Sequence, residues 1–61
     1  MRDIYKELKE KDYDLYIKTI EKAWLLCNRN NLDSAESANL ERTLIEFALM
    51  ILKNVIYKGE N

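Results

Sequence analysis

The chain reads as an all-α antiparallel helical hairpin that dimerises into a four-helix bundle, and three observations say so. It has no proline and a single glycine, Gly59, so helix breakers are nearly absent. Apolar residues recur at a helical period along two segments separated by an asparagine-rich turn. Each segment also carries more apolar surface than one neighbouring helix covers, which is the pattern of a bundle in which every helix touches two others. With 61 residues the chain is one domain, residues 1–61.

Helix one is expected over residues 3–28. Tyr13, Ile17, Ile20 and Trp24 form one stripe, and Ile4, Leu8, Leu15 and Leu26 a second, with Tyr5, Tyr16, Ala23 and Cys27 between them. Asp12 is able to cap a new helix and split off a short N-terminal piece. No second break signal accompanies it, so the expected rod is continuous or merely kinked. The turn falls at 29–33, where Asn30 and Asn31 follow Asn28 and favour left-handed backbone. Asp33 and Glu36 have the spacing of a capping box, and Leu32 is placed as its hydrophobic staple. Helix two follows over 34–58, with Lys58 suiting the C-terminal dipole and Gly59 the stop.

Helix two is apolar on two sides. One stripe holds Leu40, Leu44, Phe47, Ala48, Ile51 and Val55, and the other holds Ile45, Leu49, Leu52 and Ile56, turned roughly 120° away at about 100° per residue. A hairpin partner covers one stripe. Leaving the four large aliphatics of the second in water forgoes roughly 6–12 kcal/mol, comparable to the whole stability of a small domain, about 5–15 kcal/mol. Ile45, Leu49, Leu52 and Ile56 are therefore the expected interface, with a second copy or with a larger protein. Two rods of roughly 38 Å each and a short turn make an antiparallel hairpin. A two-fold pair of hairpins is the simplest closed assembly.

Composition excludes several functions. Ten basic and eleven acidic residues leave a net charge of −1, so the chain is no polybasic arm for nucleic acid or membrane. The apolar run from Leu44 to Tyr57 contains Glu46 and Lys53 and is too short and too charged to span a bilayer. Residues 1–14 alternate charged and apolar positions, unlike a signal peptide, and Cys27 is the lone cysteine. Both point to the cytoplasm. No histidine, no Ser/His/Asp set, no phosphate-cradling glycine loop and no metal-ligand spacing appear. Neither an enzyme nor a cofactor is expected. Abundant Lys, Asn, Ile and Tyr suggest AT-rich coding, as in phages or mobile elements of low-GC bacteria.

Three polar or aromatic patterns remain as candidate surfaces. Asp3, Glu7, Glu10, Asp14 and Glu21 recur near heptad spacing and share one outward face if helix one is continuous. That face is either an acidic docking surface for a basic protein or simply solvated. Arg2, Lys6 and Lys9 cluster near the N-terminus and are the candidate contacts to an RNA or DNA backbone, with a field weakened by the interleaved carboxylates. Tyr5, Tyr16, Trp24 and Tyr57 sit at the edges of the apolar arcs as interface anchors or boundary core residues. Cys27 reads as a small buried hydrophobe, distant from any helix N-terminus that would activate it.

In outline the chain resembles two helical-hairpin families. The small sporulation aspartyl-phosphate phosphatases carry a Ser-Gln-x-Leu-Asp signature in their second helix. The corresponding segment here is Glu41-Arg42-Thr43-Leu44-Ile45, which agrees only at Leu44 and places Ile45 where the acting aspartate would stand. That activity is not expected. Dimeric plasmid copy-control repressors that bind paired RNA loops are similar in length and architecture, without a shared residue motif.

The expected function is stoichiometric binding: a small regulator or inhibitor of a larger protein, itself a homodimer. The alternatives are a dimeric RNA- or DNA-binding regulator using the helix-one lysines and a structural subunit of a larger helical assembly.

Overall fold

The computed structural model describes the backbone of residues 2–59 and the side chains of residues 2–54. Three helices follow one another: α1, Ile4–Lys11; α2, Tyr13–Arg29; and α3, Ser34–Gly59. The described residues form no strand. The class is all-α as expected, but the arrangement has three helices, because helix one is broken.

The break is made by one residue. Asp12 lies in an extended conformation, φ −155° and ψ 92°, between α1 and α2. Its backbone N–H donates to the Leu8 carbonyl at 2.8 Å and closes α1. Its carboxylate accepts the Leu15 N–H at 3.0 Å and opens α2. At the other end of α1, the Asp3 carboxylate caps the helix by accepting the Lys6 N–H at 3.1 Å. Such caps contribute about 1 kcal/mol each. What outweighs the hydrogen bonds of a continuous rod is burial. Turned at Asp12, α1 packs against α3 and buries Ile4 and Leu8, each contributing about 1.5–3 kcal/mol.

The second connection follows the sequence closely. Asn31 adopts φ 52°, the left-handed region that asparagine tolerates better than most residues. Leu32 N–H reaches back to the Cys27 carbonyl at 3.1 Å and Asn31 N–H to that of Asn28 at 3.4 Å. These are the two bonds of a Schellman stop. Asp33 and Glu36 then form the reciprocal capping box: Glu36 N–H donates to Asp33 Oδ1 at 2.8 Å, and Asp33 N–H to Glu36 Oε1 at 3.2 Å.

Ile4, Leu8, Ile45, Ala48 and Leu49 make the core cluster, flanked by the partly buried Tyr5, Leu15, Tyr16, Ile20 and Leu52. Each of the three helices touches the other two. Together they bury the seams between them and leave Leu25, Phe47, Met50 and Ile51 on open outer flanks.

Candidate functional site

Of the two apolar stripes of α3, the one expected to face a partner is the better buried within the single chain. Ile45 and Leu49, expected to face a partner, are 0% and 9% exposed within a single chain, and Leu52 is partly buried. The cause is α1: folded back at Asp12, it lays Ile4 and Leu8 onto this stripe. The side chain of Ile56, the fourth member, lies outside the described residues, as does that of Tyr57. The stripe expected to face helix one is covered only in part: Ala48 is buried in the core cluster, while Phe47 is 53% and Ile51 42% exposed.

Phe47 and Ile51 belong to a shallow groove between α2 and α3. Leu15, Leu44 and Ala48 complete its apolar floor, with Thr19 beside them. Lys18 and Lys22 stand on its α2 rim, and no carboxylate lines it. Periodicity places Leu44, Phe47, Ala48 and Ile51 on one stripe but does not say which stripe is covered.

A second exposed apolar edge runs along α2. Tyr13 and Trp24 are both exposed, Trp24 at 60%. The Trp24 indole is nevertheless held: its Nε1–H donates to Glu41 Oε2 across the α2–α3 seam at 3.1 Å. Tyr13 lies 6.3 Å from the Tyr16 ring, tilted by 32°. Of the expected aromatic anchors, Trp24 is thus displayed, whereas Tyr5 and Tyr16 are partly buried against the core. Glu41 is also a neighbour of Tyr5, whose phenol pKa is raised, first by burial and then by that carboxylate. One half-buried carboxylate therefore lies beside residues of both α1 and α2. Sequence reading missed Tyr13 as an anchor and Glu41 as a tether, because neither role has a spacing of its own.

The acidic face does not survive the break. Asp3, Glu7 and Glu10 belong to α1, and Asp14 and Glu21 to α2, so the shared face of a continuous rod is lost. Two of the five are engaged within the chain. Asp3 is a helix cap, and Glu7 accepts both Arg2 Nε and an Arg2 terminal nitrogen at 2.7 Å, with Lys11 Nζ at 3.8 Å. The bidentate Arg2 contact, its hydrogen bonds first, holds the Glu7 carboxyl below the usual range despite the opposing effect of desolvation. Glu10, Asp14 and Glu21 are exposed.

Among the candidate nucleic-acid contacts, Arg2 is engaged by Glu7, while Lys6 and Lys9 are exposed. Arg2 and Lys6 share a shallow depression with Asp3, Glu7 and Glu10, so base and acid alternate across it. Cys27 is partly buried. Among the described residues, no group of His, Cys, Asp or Glu is arranged to hold a metal ion, and no helix is long and apolar enough to cross a membrane. No protein-family model matches the chain, and no curated protein or solved structure matches it.

Proposed function

We propose that this chain is a small, non-enzymatic protein-interaction module that regulates or inhibits a larger protein by stoichiometric binding in a reducing compartment, where the lone Cys27 stays a thiol. The observation that carries this reading is Trp24, a large aromatic side chain that is mostly in water yet anchored by Glu41 at 3.1 Å. A tethered, exposed tryptophan costs little entropy to bind and offers a large apolar area, the combination found at interface hot spots. Tyr13 extends the same edge. The exposed Asp14 and Glu21, on the same helix as Tyr13 and Trp24, give the neighbouring surface an acidic component suited to the rim of a contact with a basic protein.

The test is affinity capture from the native host with wild type and Trp24→Ala, with and without nuclease. The expected result is a stoichiometric protein partner that survives nuclease and is lost with Trp24→Ala while far-UV circular dichroism stays unchanged. Trp24 is the sole tryptophan, so its fluorescence should shift to the blue when the isolated partner is added. Recovery that depends on nucleic acid would overturn the reading and bring Lys6 and Lys9 forward instead.

A further inference from the structure

The α2/α3 groove lies apart from the Trp24 edge and calls for its own occupant. From its shape, spacing and charge we infer that a second copy of this chain fills it, with the two α3 helices antiparallel across a two-fold axis that passes beside Phe47 and Ala48.

Exposure is the first argument. Within the single chain Phe47 stays 53% and Ile51 42% exposed, so the groove presents apolar surface that a second copy would cover.

The second argument is self-complementarity, which a two-fold interface requires because one surface must fit itself. The apolar positions on the open side of α3 are symmetric in spacing about the midpoint between Phe47 and Ala48, with Leu44 and Ile51 equally far on either side. Run antiparallel about that point, Leu44 meets Ile51 of the other copy, and the large Phe47 meets the small Ala48. Phe47 projects at 53% exposure and Ala48 is recessed at 5%, so the same surface supplies both knob and hole. Every helical stripe of spacing i, i+3, i+4, i+7 reads the same in both directions; what is particular here is that its two central positions are one large and one small residue.

Charge is the third. The Trp24–Glu41 bond sets the antiparallel register of α2 on α3, and it puts Lys18, six residues before Trp24, opposite Phe47, six residues after Glu41. The same axis therefore crosses α2 near Lys18 and sets α2 against its copy. Asp14, Lys18 and Lys22 are all exposed and four residues apart, along one face of α2. Reversed about Lys18, each Lys22 of the groove rim faces the Asp14 of the other copy, which stands one turn before Lys18 and just outside the groove lining, giving two symmetric ion pairs. The cost is that Lys18 lies beside its own copy near the axis.

Sedimentation of the full chain across micromolar concentrations tests this. A mass of twice 7.3 kDa is expected. Phe47→Asp should raise the dimer dissociation constant at least about 100-fold, since it removes a central aromatic knob and buries charge in both copies. Helicity should be unchanged, because Phe47 lies outside the core of the single chain. On the rim, Asp14→Lys and Lys22→Asp should each weaken the dimer about tenfold at low salt. The double exchange should restore wild-type affinity, and Lys18→Gln alone should tighten it. A monomer throughout, a dimer indifferent to Phe47→Asp, or a double exchange no better than either single change would each overturn the assignment. The groove would then belong to a different partner, whatever the fate of the Trp24 edge.

Discussion

The two flanks of α3 are equally apolar in sequence and opposite in fate. Ile45 and Leu49 are buried, whereas Phe47 and Ile51, each two residues further on, are about half in water. The difference lies in what is available to cover each side. Helix α1 has eight residues, about 12 Å of helix, enough to cover one flank and no more. Once Ile4 and Leu8 lie on the Ile45–Leu49 side, the Phe47–Ile51 side is left with α2 along one edge only. An apolar stripe therefore states a demand for cover without naming the supplier.

The sharpest way to break this comparison is to place the same charge on each side. Leu49→Asp should unfold the chain. It deletes a buried leucine, which costs about 2–5 kcal/mol, and strands a carboxylate in the core, against a total stability of about 5–15 kcal/mol. Phe47→Asp should leave the single chain folded, within about 1 kcal/mol of wild type, because the side chain is already half exposed. Circular dichroism and urea unfolding of the two variants decide it. Equal losses of stability would mean that α1 does not distinguish the two flanks.

A smaller effect tests the hinge. Asp12→Ala removes the carboxylate that accepts the Leu15 N–H and should cost about 1 kcal/mol. The same change favours a continuous helix through residue 12, which would lift Ile4 and Leu8 from α3. Amide exchange should accordingly quicken in α1 and around Ile45, with little change at the Asp33–Glu36 cap.

The smallest expected effect concerns how α1 is trimmed at its surface. Glu7 titrates below the ordinary carboxyl range because of Arg2. A depressed carboxyl pKa contributes stability that is present above the unfolded value and is lost as pH falls through the folded one, so the Arg2–Glu7 link weakens only in acid. Arg2→Ala should move the Glu7 titration, followed by NMR, back up toward the usual range, with Lys11 retaining part of the shift. The Tyr5 phenol runs the other way. Raised by burial and by Glu41, it contributes stability present below its unfolded pKa and lost as pH rises through the folded one.

Local chemistry was legible wherever the interacting groups are close in sequence. Asp33 and Glu36 are three residues apart, and their capping box forms as read. The Asn30–Asn31 turn and the start of α3 at Ser34 also fall where expected. Asp12 was visible as a cap, but its capping bond to Leu15 resembles that of any N-terminal aspartate. What makes it a hinge is the docking of Ile4 and Leu8 some forty residues away in sequence. The acidic face was a reading of continuity and fell with it. The Trp24–Glu41 tether joins residues seventeen apart on different helices, so no periodicity announces it.

By itself, then, the sequence determined that the chain is helical, where its second turn lies, and that α3 carries two apolar flanks in need of cover. These follow from backbone propensity, capping and side-chain period, all set within a few residues. Tertiary structure alone decided that residue 12 is a corner, that Ile45 and Leu49 are core, and that Phe47, Ile51 and Trp24 face outward. Those outcomes rest on competition between distant segments for the same apolar surface, and the segment that reaches a flank within the chain takes it.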